Sequence, residues 1–128
     1  MRIHVTTAET GAPWNLSVEQ FAQRLAASRP NALIAVDSEN AQLRVRFELS
    51  IGEARAEGIY LTGDWQQLIC WDGTIDGWAP FIEWFIGLLP VESGADIFLE
   101  AAAIPQPLPR LSTAADIARI LTELDDSI

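Results

Sequence analysis

The sequence predicts an α+β domain: one mainly antiparallel sheet of about five to six strands, with three helices packed on one of its faces. Three observations lead there. Between residues 42 and 71, apolar and polar positions alternate in short runs separated by Gly-bearing turns, which is the period of half-buried strands. Helical spacing with start and stop signals recurs near Ser17, Asp76 and Ser112 or Thr113. The segments follow one another as β-α-β-β-β-β-α-β-α, and the central strands are joined by turns too short for a parallel crossover.

Residues 2 to 7 alternate, with Ile3 and Val5 on one face and Arg2, His4 and Thr6 on the other, as a first strand does. Glu9 to Asn15 contains Gly11 and Pro13 and reads as a loop. Ser17 and Gln20 have capping-box spacing, and Leu16 with Phe21 fits a hydrophobic staple. Val18, Phe21, Ala22 and Leu25 then form one apolar stripe, Arg24 and Arg29 fall late in the helix, and Pro30 ends it.

Ala32 to Asp37 is a short apolar run that predicts a buried strand, followed by a turn at Ser38-Glu39-Asn40. Gln42 to Ser50 alternates Leu43, Val45, Phe47 and Leu49 against Arg44, Arg46 and Glu48, so one face should be wet. Ala54 to Thr62 continues the meander with Gly58 as a bulge or close approach, and Gln66 to Trp71 completes it. Arg44, Arg46 and Arg55 beside Glu48, Glu53 and Glu57 predict a ladder of cross-strand ion pairs.

Asp72-Gly73 is a hairpin dipeptide and allows a brief return strand at Thr74-Ile75. Asp76 is the expected cap of the next helix, with Pro80 in its first turn and Pro90 beyond its end near Leu89. Trp78, Phe81, Ile82, Phe85 and Leu89 share a face that must enter the core, while Trp84 and Leu88 lie on a different side. Glu83 is the only charge between Trp78 and Leu89. A helix apolar on nearly every side has to be covered by its own chain, as by the proline-bearing connector, or by a partner. Ala95 to Ala101 predicts a strand, Pro105, Pro107 and Pro109 an extended connector, and Ile117, Ile120, Leu121 and Leu124 the apolar face of a last helix.

The run Trp84 to Pro90, the strand Asp96 to Glu100 and the proline-bearing loop into Ser112-Thr113 together resemble small actinobacterial proteins of unknown function. The resemblance implies a strand-helix start and an aromatic helix ending in Leu-Val-Pro, and it brings no activity with it. Leu89 stands here where that pattern has valine, and Ala101-Ala102 follow Glu100 where it has an acid and a glycine. Abundant Ala and Arg without any Lys also suits a high-GC genome.

Charge limits function more sharply than any motif. The net charge is −10 and all eight cations are arginine. Residues 56 to 109 carry eight acids and no arginine, which argues against binding a nucleic-acid backbone. No run reaches the about 20 apolar residues that a membrane helix needs, and the first residues lack a signal-like apolar stretch. One domain spanning residues 1 to 128, cytoplasmic and free of metal and cofactor, is the expectation.

No nucleophile elbow, phosphate loop or metal-ligand spacing is present in the sequence, so the chain leans away from enzymes. His4 and Cys70 are each single, and a Cys/His pair would require the two strands to bring them together. The leading expectation is an acidic protein-binding domain, immunity-like (toxin-neutralising), that engages a basic protein. Its expected contact residues are Trp65, Trp71, Asp72, Asp76, Glu83, Trp84 and Leu88. The alternative is a small-ligand or carbohydrate-binding or -processing protein with an acidic pocket walled by Trp65, Trp71 and Trp78 beside Asp64, Asp72 and Asp76. A homodimer joined through the aromatic helix is the third.

Overall fold

The computed structural model describes residues 1–8, 12–39, 42–63, 65–102 and 104–128, Glu39 by its backbone alone. The loop residues 9–11, the turn at Asn40 and the acid Asp64 lie outside these. Ten elements follow one another: β1 (Arg2–Thr7), α1 (Val18–Ser28), β2 (Leu33–Glu39), β3 (Gln42–Ile51), β4 (Ala54–Thr62), β5 (Gln67–Trp71), α2 (Ile75–Ile86), β6 (Ala95–Leu99), β7 (Gln106–Pro107) and α3 (Ala114–Asp126). The expected α+β class is correct, with one more strand than predicted. The extra strand is β7, two residues of the proline connector that pair with Asp96 and Ile97 of β6.

The sheet runs β2-β3-β4-β5-β1-β6-β7 and every neighbouring pair is antiparallel. Four consecutive strands make the predicted meander, and β1 then enters between β5 and β6. Cross-strand register puts Ile3, Val5, Val45, Phe47, Leu49, Ala56, Tyr60, Leu68, Cys70, Ile97 and Leu99 on one face, and all are buried. The aromatic rings of α1 and α2 meet that face: Phe21 stacks on Tyr60, Phe81 on Phe47, and Phe85 lies edge-on to Tyr60. Among the described residues, no helix packs on the opposite face.

The α1 start matches its sequence signal, with Ser17 and Gln20 in a reciprocal capping box. Arg29 lies just past the helix rather than in its last turn. Its guanidinium instead sits over the rings of Phe81 and Trp84, at 4.9 and 5.1 Å.

Six local expectations need correction. Ala32 to Asp37 does form a strand, but an edge strand: Leu33 is 61% and Val36 51% exposed. Apolar content alone cannot tell a central strand from an edge. The strand also runs through Ser38 and Glu39, where a turn is predicted. Thr74 caps α2 in place of Asp76, accepting from Gly77 N–H at 2.9 Å. Ile75 is therefore helical and no return strand forms, because Asp72 turns the chain directly into the helix with a φ of 64°. Pro80 consequently lies inside α2 rather than in its first turn. The helix ends at Ile86, three residues before Leu89.

Gly58 is a close approach and not a bulge. Register runs unbroken past Phe47↔Gly58, and a Cβ there would stand 2.2 Å from the Phe47 ring. At the C-terminal end Thr113, not Ser112, caps α3, in a capping box closed by Asp116. Hydrogen bonds donated to the Asp116 carboxylate by the Thr113 backbone N–H and by its hydroxyl hold that carboxyl below its usual range.

Candidate functional site

The aromatic helix α2 is covered by its own chain. Trp78, Phe81, Ile82 and Phe85 are buried as predicted, and so are Leu89 beyond the helix and Ile86 within it. Trp84 and Leu88, the residues expected to reach a partner, are half-buried and pack against the core. Trp84 touches Phe21 and Phe81 and lies under Arg29. Glu83 is exposed, yet its carboxylate accepts the Ala114 N–H at 3.0 Å at the start of α3. The connector contributes through Arg110, which donates to the carbonyls of Leu89 and Gly87 at 2.9 and 3.3 Å and so satisfies the C-terminal end of α2.

The tryptophan-walled pocket does not assemble. Trp65 precedes β5 and is 58% exposed, while Trp71 ends that strand. The strand Gln67–Trp71 alone spans about 13 Å, and Trp65 lies before its start. Trp78 is fully buried on the helix-covered side, and its Nε1 has no hydrogen-bond partner among the described residues. Asp72 and Asp76 are exposed on either side of the α2 cap. Asp64 lies outside the described residues.

A Cys/His nucleophilic pair is likewise ruled out by register. Cys70 pairs opposite Ile3, on the helix side, whereas His4 pairs opposite Ile69 and faces the other way. Burial also pushes the Cys70 thiol well up from its ordinary value, away from the reactive thiolate. Among the described residues no three His, Cys, Asp or Glu groups gather to hold a metal ion. No helix among them is long and apolar enough to cross a membrane.

What the fold leaves available is the other side of the sheet. Register aligns Ala35, Arg46, Ile59, Ile69, His4 and Phe98 in one row across six strands. Ile59, Leu61, Ile69, Trp71 and Phe98 are each half-buried, with no helix among the described residues packed above them. Their signal is legible in residues 59 to 61, Ile-Tyr-Leu, where both strand faces are apolar. His4 stacks on Phe98 at 4.7 Å with the planes 4° apart, and its Nδ1 meets Gln67 Nε2 at 2.8 Å.

Toward β2 this face dips into a groove of about 290 Å³ lined by Leu33, Ala35, Arg46, Glu48, Glu57 and Trp71. Glu48 and Glu57 stand directly opposite each other, an arrangement that costs energy unless each is engaged. Arg55 reaches Glu48 at 3.5 Å, and Trp71 Nε1 donates to Glu57 at 2.9 Å. Arg44 pairs with Asp37 at 2.8 Å. The predicted ladder is thus partial: among the described residues, Arg46 and Glu53 join no ion pair.

No family model, curated protein or solved structure matches the chain.

Proposed function

We propose that the chain is a small non-enzymatic protein-binding domain that engages a basic protein partner through the open face of its sheet. The observation that carries this reading is the uncovered row Ile59, Ile69 and Phe98 with Trp71 beside it, half-buried on a sheet whose other face is filled by three helices. Charged groups border that apolar centre: Arg2, Arg46 and Arg55 with Glu48, Glu57 and Glu100. An apolar centre inside a charged rim is how protein interfaces are built. The net charge of −10 would draw in a cationic partner and speed its encounter.

An immunity-like role, neutralising a basic toxin in the cytoplasm of a bacterium, is the concrete form of this reading. It rests on small size and acidity. The contact set shifts accordingly, from Trp84 and Leu88 toward Trp71 and the sheet residues around it.

Affinity capture from the source organism tests it, comparing wild type, Ile59→Arg with Trp71→Ala, and Trp84→Ala. The expected result is that the sheet-face variant keeps its circular dichroism spectrum and loses a basic partner that Trp84→Ala retains. Retention of that partner by a folded Ile59→Arg, Trp71→Ala protein would overturn the reading.

A further inference from the structure

We propose that β2 is the contact strand of a symmetric dimer, pairing antiparallel with β2 of a second copy about a two-fold axis at Val36. This inference stands apart from the partner reading above, which uses the face of the sheet rather than its edge.

The two ends of the sheet differ. β7 is two residues long and includes Pro107, which has no N–H to offer, so that edge is blunt. β2 has seven residues, pairs with β3 along its whole length, and contains no proline, glycine, lysine or arginine. None of the usual devices that keep an edge from pairing is present apart from its two acids, Asp37 and Glu39. Its outer side therefore presents a full row of backbone donors and acceptors. Leu33 and Val36 lie on opposite faces of this strand and are both more than half exposed.

Register selects the axis. Val36 is the midpoint of Leu33–Glu39, so a two-fold there pairs all seven residues of β2 with their copies. Val36 then meets Val36 of the second copy, with Leu43, itself 45% exposed, nearby on β3. An axis at Asp37 would set two carboxylates face to face, and an axis at Ala35 would set Asp37 against Leu33. With the axis at Val36, Asp37 of the second copy lies opposite Ala35.

That position gives Arg46 a partner. Arg46 sits beside Ala35 on β3, is exposed, and joins no ion pair among the described residues. Ala35 is too small to block it. Two strand spacings, about 9.5 Å, separate the Arg46 backbone from Asp37 of the second copy, a span that an arginine and an aspartate side chain cover between them. Asp37 would then bridge Arg44 of its own chain and Arg46 of the other. The symmetry makes two such bridges, which offset locally the repulsion between two chains of charge −10.

Sedimentation velocity and oxidative cross-linking test the proposal on the full chain. Wild type should sediment as a dimer at micromolar concentration, and Val36→Glu as a folded monomer. Arg46→Glu should weaken dimerisation roughly tenfold through loss of the two bridges. Val36→Cys should form an intermolecular disulfide under mild oxidation, since opposed residues lie about 4.5–5.5 Å apart and buried Cys70 does not compete. A wild-type protein that stays monomeric to millimolar concentration overturns the proposal. So does a dimer that persists in Val36→Glu, or one in which the Val36→Cys thiols fail to join.

Discussion

Glu83 accepts the amide hydrogen of Ala114 at 3.0 Å, so the only charged side chain between Trp78 and Leu89 holds the first turn of α3. The carboxylate adds an acceptor and a negative charge where a helix has unpaired N–H groups and a positive dipole end. Glu83→Ala should therefore destabilise the protein by about 1 kcal/mol, the usual loss for a helix cap. Glu83→Gln, which keeps an acceptor, should lose less. Urea unfolding of the three proteins checks the order, and equal midpoints would refute it.

Gly58 and Phe47 are opposed on neighbouring strands, and the ring occupies the space a Cβ would need, 2.2 Å away. Phe47 cannot simply retreat, because Phe81 stacks on it at 5.4 Å and Phe21 lies 5.6 Å away. Gly58→Ala should cost about 2 kcal/mol through forced repacking. Gly52→Ala is the control: its φ of 64° disfavours any side chain, but nothing lies within 4 Å. That variant should lose only about 1 kcal/mol, from backbone alone. Thermal unfolding should rank them in this order.

The features legible in the sequence are those that depend on neighbours along the chain. Ser17 and Gln20 are three residues apart, and their capping box follows from that spacing. The alternation of Val45, Phe47 and Leu49 requires only that one side of β3 be covered. Edge position is different. Ala32 to Asp37 is as apolar as a central strand, and only the assembled order β2-β3-β4-β5-β1-β6-β7 leaves Leu33 and Val36 in water. Trp14 shows the same limit. It lies in a loop with no periodicity, yet it is fully buried against Tyr60 and Phe85 and donates to Gly94 O at 3.0 Å.

The candidate site follows this pattern. Trp84 and Leu88 stand out in the sequence because one helix cannot bury every face, but Phe21 of α1 and Arg29, both distant in sequence, pack on Trp84, and Leu88 packs against the core. Ile59, Ile69 and Phe98 attract less notice because each occupies the polar phase of an otherwise regular strand. Only the segregation of all three helices to one face exposes that set.

Arg29 lies over both Phe81 and Trp84 and closes the outer side of α2. Arg29→Ala should open Trp84 to solvent, raising iodide quenching of tryptophan fluorescence and lowering stability by about 0.5–1 kcal/mol. Arg29→Lys keeps a cation but not the flat guanidinium, so it should restore the charge without restoring the shielding. Unchanged quenching in Arg29→Ala would show that α1 alone covers the ring.

His4 makes stability sensitive to mild acid. Burial lowers its pKa from the ordinary 6.5, outweighing the opposing pull of Glu100, whose carboxylate lies 3.7 Å from Nε2; Arg2 pushes the same way as burial. In the unfolded chain the ring takes up its proton near the ordinary value, whereas in the fold it does so only at lower pH. Between those two pKa values the unfolded state binds more protons, so stability rises with pH across that window. The contribution is complete above about 6.5 and is lost as pH falls through the folded value. Asp116 acts in a separate window: its lowered pKa adds stability that is complete above about 3.8 and lost only below that. Urea midpoints between pH 5 and 7.5 should thus fall with acid in wild type and stay nearly level in His4→Gln. A parallel fall in both would assign the acid sensitivity to carboxylates instead of His4.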